Sequence, residues 1–195
     1  MTGTRKKSHS QGKEPMLEKI LGNLRYGKVI NLVPSDSKVL DMGCGYNGEF
    51  LKKIRGKIDA GVGIDISVNP NFSDDKIRLI SHDLNEKLPF DNEEFDVVVS
   101  LANLEHLTDP QGAIREIFRV LKHGGLLLLT TPSVYGKPVL EFLAFISLVS
   151  TEEIQDHKNY FTKKILTDIC EESGFSSCKH KYFQLGMNNF LIATK

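Results

Sequence analysis

The sequence has no net charge, because 25 lysines and arginines stand against 25 aspartates and glutamates. A chain without an overall basic field gives no indication of a nucleic-acid partner. Cysteine is scarce as well: Cys44, Cys170 and Cys178 are widely spaced, and none of them forms the C-x-x-C pair of a zinc or redox site. The scarcity predicts a reduced, cytoplasmic setting and no metal.

Long apolar stretches are also missing. The longest, residues 139–149, is about half of the roughly 20 residues that a membrane-spanning helix needs, so we expect no span. Residues 1–13 are polar and basic without an apolar segment, and we expect a disordered tail there rather than a secretory signal. The remainder, with 40% apolar residues in the whole chain, predicts one globular domain over residues 14–195.

Short apolar stretches alternate with amphipathic ones through most of the chain. Such alternation is typical of an α/β fold, a doubly wound parallel sheet that binds ligands beyond the carboxyl ends of its strands. Two strands without an intervening helix then predict an antiparallel hairpin at the sheet edge. The predicted strands are 38–40, 60–66, 77–80, 95–100, 126–130, 175–184 and 189–194, and the predicted helices begin at Pro15, Glu49, Pro110 and Lys163.

Two of these helices carry clear start signals, Asp109 followed by proline and Thr162. The glycines of Lys122–Gly125 predict the end of the first helix. The apolar spacing predicts two buried faces, namely Ile114, Ile117, Phe118 and Leu121 on the first helix and Ile165, Leu166, Ile169 and Cys170 on the second.

The glycine-rich stretch DMGCGYNG, residues 41–48, follows the first predicted strand and precedes a helix. Its G-x-G-x-x-G spacing lets backbone approach a ligand closely, which also suits a nicotinamide dinucleotide. Asp41, however, would repel a pyrophosphate by about 4 kcal/mol at an effective dielectric near 20, and would attract an ammonium or sulfonium by as much. Asp41 therefore favours a cationic ligand.

Two further acids end the next two predicted strands. Asp65 is placed to accept hydrogen bonds from both hydroxyls of a ribose. Asp83 is placed to accept from an adenine amino group, with Leu84 packed on the ring, although an acid at a strand end can also serve as a local cap. Together with Asp41, these acids predict a nucleoside-type ligand with a cationic end.

The segments Val39–Gly45, Asp65 and Arg119–Gly125 followed by a strand resemble the class I S-adenosylmethionine-dependent methyltransferases. The resemblance is to the small-molecule branch that includes quinone-biosynthesis methyltransferases, and it covers residues 36–194. It implies a mostly parallel, seven-stranded, Rossmann-like sheet with a C-terminal antiparallel hairpin. It also implies S-adenosylmethionine as the cofactor and a small-molecule methyl acceptor.

The resemblance further implies a role for each residue that matches the family's motifs. Those expected at the methionine end of the cofactor are Asp41, Gly43, Cys44, Gly45 and Leu101, with Asp41 holding the amino group directly or through water. Those expected at the adenosine end are Asp65, Ile66, Asp83 and Leu84. One departure is that residues 67–75 leave room only for a short helix, where the family commonly has a full one.

Two histidines are candidate general bases, which methyl transfer needs only when the acceptor must lose a proton. His106 follows the fourth strand, has an ordinary pKa near neutrality and is preceded by Glu105. His157 precedes the last helix. For each, packing or capping is the alternative to catalysis.

Several acceptor motifs are missing from the chain. The fourth strand ends without an Asn-Pro-Pro-Tyr or Pro-Cys sequence, without a metal-binding acid, and no paired-glutamate hairpin is present, so we expect a small acceptor and no metal. Residues 134–151 are apolar around nearly the whole helix circumference and predict a lid over an apolar substrate or a homodimer contact, with core packing as the alternative. The rival functions are a nicotinamide-dependent oxidoreductase and a non-catalytic S-adenosylmethionine-binding module.

Overall fold

The computed structural model describes residues 16–136 and 158–195, with side chains from residue 22 onward. The predicted tail, His157 and all but the first residues of the 134–151 segment lie outside this part of the chain. The predictions that concern them therefore stay predictions.

Four helices, two 3-10 turns and seven strands make up the described structure. The helices are α1 (Met16–Val29), α2 (Glu49–Ile54), α3 (Pro110–Val120) and α4 (Lys163–Glu172), and the 3-10 turns are Ile30–Leu32 and Leu104–His106. The strands are β1 (Lys38–Met42), β2 (Ala60–Asp65), β3 (Ile77–Ser81), β4 (Phe95–Leu101), β5 (Leu121–Pro132), β6 (Ser177–Phe183) and β7 (Asn188–Thr194).

The strands form one sheet in the order β3-β2-β1-β4-β5-β7-β6. The first five are parallel, and β7 runs antiparallel to both β5 and β6. This confirms the predicted seven-stranded fold with its C-terminal hairpin. The chain builds outward from β1 to β3 and then returns to the other side of β1, so the order of strands reverses between β1 and β4. Open α/β sheets bind ligands beyond the strand ends at such a reversal.

Each face of the sheet has its own apolar core. The core on the side of α3 and α4 includes Leu40, Val98, Ile117, Leu129 and Leu166. The core on the side of α1 and α2 includes Val29, Val39, Phe50, Val97 and Leu128. Adjacent residues of one strand thus enter opposite cores, as the two-residue period of a strand requires. Asp41 alternates with Leu40 and Met42, so it lies on the face of the sheet that α1 and α2 cover.

The helix starts agree with their predicted caps. Asp109 accepts the backbone N–H of Gly112 at 2.8 Å, and Thr162 accepts that of Ile165 at 3.2 Å. The predicted inner face of α4 is wrong at Ile165, whose side chain is 42% exposed. Because Ile165 lies in the first turn of the helix, its side chain projects past the edge of the core that buries Leu166.

The fifth strand begins earlier than predicted. Leu121 belongs to β5 and not to the inner face of α3, and it pairs with Phe95. Gly124 adopts a φ of 74°, and the pairing shifts register between Phe95 and Val97. The glycines that predicted a helix end therefore accommodate an irregularity inside a strand.

Residues 67–75 contain no helix. Asn69 accepts the backbone N–H of Asn71 at 3.0 Å, and Asp74 accepts those of Lys76 and Ile77 at 2.8 and 3.0 Å. Such side-chain bonds occupy the N–H groups that a helix would use. The departure noted in the sequence is thus larger than expected, since turns replace even the short helix.

Candidate active site

The glycine turn after β1 is built from residues with left-handed backbone. Gly43, Gly45 and Gly48 have φ values of 87°, 69° and 62°, which favour glycine. The backbone N–H of Gly43 donates to the carbonyl of Ile64 at 2.8 Å and fixes the turn on the end of β2. A Cβ added at Gly43 would lie 2.5 Å from Cγ of Asn103, so no side chain fits there.

Cys44 is a packing residue of this turn. Its Sγ donates to the carbonyl of Gly45 at 3.3 Å, and a Cβ added at Gly63 would lie 2.8 Å from the same sulfur. Burial, and then the charges of Asp41 and Asp65, raise the pKa of the thiol. A neutral thiol is neither a nucleophile nor a metal ligand, so Cys44 contributes its shape and its backbone.

Asp41 is a buried acid near the end of β1. It is 2% exposed, and its Oδ2 has no hydrogen-bond partner in the part of the chain that the structure describes. Burial in the first place, and the charge of Asp65 in the second, raise its pKa to about 8. At neutral pH the free protein therefore holds Asp41 mostly protonated, and a cationic group in contact with it would ionise it.

Asp65 ends β2, and its two side-chain oxygens have different surroundings. Its Oδ2 accepts the backbone N–H of Gly45 at 2.9 Å, which ties the glycine turn to the second strand. Its Oδ1 is buried without a partner among the described residues. Sequence reasoning missed the bond to Gly45. It expected only oxygens that bind a ribose, and Oδ1 has no partner among the described residues that would compete with a ribose.

Oδ2 of Asp41 and Oδ1 of Asp65, which lack partners among the described residues, show whether the donors of S-adenosylmethionine suit this site. Both carboxylates face the edge where β1 and β2 end, beside a turn that admits no side chain at Gly43. Buried acceptors without protein partners take donors from water or from a ligand. The ammonium and the ribose hydroxyls of S-adenosylmethionine are such donors, so the residues present fit this cofactor.

Asp83 and Leu84 follow β3 in a local turn. Oδ1 of Asp83 accepts both the backbone N–H and the side-chain amide of Asn85, each at 2.9 Å. The backbone bond from Asn85 is the largest of the influences that lower the pKa of Asp83. Leu84 is buried in the core on the side of α3 and α4. A local turn therefore engages part of Asp83, and its contact with adenine stays a prediction.

Ile66 and Leu101 stand at the same edge of the sheet. Ile66 is half-buried, and its carbonyl accepts the hydroxyl of Ser81 at 2.8 Å. Leu101 is also half-buried and packs against the core on the side of α1 and α2. Leu101 pairs with Thr130 and lies two residues beyond Val99, the partner of Asp41 in β1. The predicted contacts of both side chains with the cofactor stay predictions.

Glu105 and His106 form a buried 3-10 turn after β4. Glu105 is fully buried, and its Oε2 accepts the hydroxyl of Thr131 at 3.0 Å. Its carbonyl accepts the backbone N–H groups of Lys158 and Asn159 at 3.0 and 3.1 Å. Sequence reasoning treated Glu105 only as the neighbour of His106, whereas it anchors the chain that precedes α4. His106 is 7% exposed.

Asn103 is a residue of the site that sequence reasoning missed. It is 2% exposed, and both Oδ1 and Nδ2 lack partners among the described residues. The available signal was a polar residue two positions beyond the end of a buried strand, between Ala102 and Leu104. Ala102 has a φ of 54° and turns the chain toward the glycine turn.

The described residues contain neither a metal-binding cluster nor a membrane-spanning helix. No group of three or more His, Cys, Asp or Glu side chains there is arranged to hold a metal ion. Within the same residues, every helix is too short or too polar to cross a bilayer.

Comparison with known sequences gives matches over most of the chain. Residues 16–179 match the family model of the methyltransferase domain. A ubiquinone biosynthesis O-methyltransferase of Pseudomonas fluorescens SBW25 is 36% identical over 106 residues, covering 48% of this chain and 44% of that enzyme. A demethylmenaquinone methyltransferase of Staphylococcus saprophyticus is 29% identical over 180 residues, covering 80% and 77%. The chain thus spans less than half of the length of the ubiquinone-type relative.

Solved structures resemble the whole fold. A S-adenosylmethionine-dependent methyltransferase from Mesorhizobium loti superposes with a TM-score of 0.71 at 17% identity, covering 90% of this chain and 100% of that one. A Haloferax volcanii methyltransferase, solved with the Trm112 methyltransferase activator, has the same TM-score and identity and covers 91% and 93%. At this identity the likeness shows the fold. The family match and the fold together identify the chain as a member of the methyltransferase domain family, which confirms the predicted family and the predicted fold.

Proposed function

We propose that the protein transfers the methyl group of S-adenosylmethionine to an oxygen, nitrogen or carbon nucleophile of a small molecule. The observation that carries the proposal is a pair of buried carboxyl oxygens, one on Asp41 and one on Asp65, that have no hydrogen-bond partner among the described residues. They lie beside a glycine turn at the point where the strand order reverses. A pyrophosphate at this position would meet two acids, so the pair disfavours a nicotinamide cofactor.

Each residue of the edge has a role in this proposal. Asp41 holds the ammonium of the cofactor, Asp65 holds the ribose hydroxyls, and the backbone of the turn lines the methionine chain. Ile66, Asp83 and Leu84 form the adenine side, and Leu101 packs beside the methionine portion. When bound, the cofactor supplies a methyl group on a positively charged sulfur, and the remaining task of the site is to position the nucleophile against it.

His106 is the proposed general base for an acceptor that must lose a proton. It is buried five residues beyond the end of β4, in a 3-10 turn whose Glu105 is bonded to Thr131. A fixed turn limits the positions of the imidazole, which suits proton transfer. His157 remains a second candidate from the sequence, and it lies outside the described residues.

The class of acceptor rests on the relatives and on the absent motifs. One relative is named an O-methyltransferase of ubiquinone biosynthesis and another a demethylmenaquinone methyltransferase. These names support a small, partly apolar acceptor for this protein. The proposed cytoplasmic location rests on the scarcity of cysteine in the sequence. The lid or homodimer contact at residues 134–151 belongs to the same proposal.

Calorimetry with S-adenosylhomocysteine and NAD, side by side, tests the cofactor. We expect S-adenosylhomocysteine to bind and NAD not to, and we expect the Asp41→Asn variant to lose affinity for S-adenosylhomocysteine. Asp96→Asn is the matched control, because Asp96 is also an acid of the central sheet but lies at the opposite end, bonded to Lys122 at 2.7 Å. Binding of NAD alone would refute the proposal.

Transfer of a labelled methyl group into a metabolite extract then separates an enzyme from a non-catalytic binding module. We expect label in a small organic product, and the fraction that carries it identifies the acceptor. A protein that binds S-adenosylhomocysteine but labels nothing in extracts of several compositions would favour the binding module.

A further inference from the structure

Asn103 occupies a position where asparagine normally caps a helix, yet it does not do so. It directly precedes the 3-10 turn Leu104–His106, and its side chain accepts no N–H group of that turn. Asparagine is favoured before helices because its oxygen accepts such a group. The side chain is also 2% exposed and leaves both Oδ1 and Nδ2 without partners among the described residues. A buried amide that finds no partner among the described residues is costly unless water or a ligand supplies one.

The carboxamide of Asn103 lies directly on the glycine turn. An added Cβ at Gly43 would lie 2.5, 2.7 and 2.8 Å from Cγ, Cβ and Oδ1 of Asn103. Gly43 follows β1 and Asn103 follows β4, and these strands are neighbours in the sheet. The amide therefore stands across the strand reversal from Asp65, with Asp41 at the end of the strand between them.

The side chains of Asp41, Asp65 and Asn103 differ in charge. Asp41 and Asp65 offer carboxylate oxygens, which accept from an ammonium and from hydroxyls but repel another carboxylate. Asn103 is neutral and brings two N–H donors on Nδ2. The amino-acid end of S-adenosylmethionine carries an ammonium and a carboxylate together. An edge that holds both charges needs an acid for the first and a donor without negative charge for the second.

We propose that Asn103 holds the α-carboxylate of the cofactor through Nδ2, and so selects a cofactor whose amino-acid end is complete. The proposal rests on the proposed function, because it assumes that S-adenosylmethionine occupies this edge. Asn103 thereby becomes a specificity-determining residue for the donor, and Asp41 and Asn103 divide the two charges of the amino-acid end between them.

The test compares two ligands in binding experiments on the free protein. One is S-adenosylhomocysteine, and the other is its decarboxylated analogue, which keeps the adenosine, the thioether and the amine. We expect Asn103→Ala to weaken S-adenosylhomocysteine about 10-fold to 100-fold, the range of a hydrogen bond to a charged group, and to leave the analogue nearly unchanged. Asn92→Ala, at the opposite edge of the sheet, is the control and should change neither.

Two further variants separate a ligand role from a structural one. Asn103→Leu removes both unpartnered polar atoms at similar volume, so the melting temperature of the free protein should not fall. Asn103→Asp places a carboxylate against the carboxylate of the ligand, so it should weaken S-adenosylhomocysteine more than Asn103→Ala does. A role in folding alone predicts the opposite, with Asn103→Leu unfolding and binding unchanged in any variant that folds.

Equal losses for both ligands, or no loss for S-adenosylhomocysteine, would overturn the assignment of Asn103. A wild-type protein that binds neither ligand would overturn the proposed function and the assignment together. If the wild type prefers S-adenosylhomocysteine to its decarboxylated analogue and only the Asn103 variants lose that preference, the proposed function and the assignment of Asn103 are both supported.

Discussion

Asp41 links the binding of the cofactor to the release of a proton. In the free protein its pKa is about 8, raised by burial and by the charge of Asp65. A carboxyl group that receives an ammonium must be ionised, because the neutral acid offers little attraction to a cation. Binding of S-adenosylhomocysteine below pH 8 therefore has to remove a proton from Asp41.

The size of the effect follows from the pKa. At pH 7 about one molecule in ten has Asp41 ionised, so the affinity lies about tenfold, or about 1.4 kcal/mol, below its maximum. Each further unit of pH downward costs about another factor of ten. At higher pH the α-amino group of the ligand loses its proton in turn. Because it carries a carboxylate on the same carbon, its pKa lies above the value of about 7.7–8.0 for the amino terminus of a peptide. We expect a bell-shaped profile with its maximum above pH 8.

Calorimetry in two buffers of different ionisation enthalpy measures the protons released. We expect nearly one proton at pH 6.5 for the wild type and nearly none for Asp41→Asn, whose weaker affinity should not rise from pH 6 to 7. Asp83→Asn is the matched control at the same edge. The pKa of Asp83 is already lowered, so this variant removes a charge without removing the proton link. Equal pH slopes in the wild type and in Asp41→Asn would refute the assignment.

Three other outcomes are expected. The free energy of unfolding of the free protein should fall as pH rises from about 4 to 8, by about 1.4 kcal/mol per pH unit at most. In this range the folded state keeps a proton on Asp41, whereas the unfolded state, in which the pKa of Asp41 is 3.8, has lost it. Urea titrations of Asp41→Asn should show a flatter dependence on pH. Gly43→Ala should lower the affinity for S-adenosylhomocysteine at least about tenfold, because an alanine with left-handed backbone costs about 1–2 kcal/mol and its Cβ displaces Asn103. Gly56→Ala is the control and should bind normally, because a Cβ at Gly56 meets no neighbouring atom. His106→Gln should lower kcat about 100-fold or more with unchanged binding of S-adenosylhomocysteine if the acceptor must lose a proton, and unchanged kcat would exclude His106 as the base.

Much of the site could be predicted because parallel strands bring their carboxyl ends to one edge. Asp41 and Asp65 are far apart in sequence, yet the alternation of strands and helices was enough to place them together. The caps at Asp109 and Thr162 were equally accessible, because a cap depends on neighbours within three residues. Local patterns of this kind need no knowledge of the tertiary structure.

The remainder depends on contacts between distant segments. Asn103 is buried because it meets Gly43 across the strand reversal, and nothing in the local sequence around either residue indicates that contact. Ile165 has the spacing of an inward-facing residue, but the neighbours of its helix turn decide its exposure. The bond between Asp65 and Gly45 likewise joins two segments that only the folded sheet brings together.

Some local sequence signals are compatible with two different structures. Asp83 is followed two residues later by Asn85, a spacing that suits a side-chain turn, and the structure contains that turn. Glycines at 124 and 125 predicted a helix end, although a strand that bends also uses glycine. In both cases one residue type serves two local structures, and the pairing partner selects between them.

The position of β7 has a consequence for the order of folding. This strand comes last along the described chain but lies inside the sheet, between β5 and β6, with Leu191 and Ala193 fully buried. During synthesis, the edges of β5 and β6 that pair with β7 therefore stay unpaired until residues 188–194 have left the ribosome. A nascent chain stalled before residue 188 would expose two strand edges at once, and this is the stage at which we expect the protein to need a chaperone most.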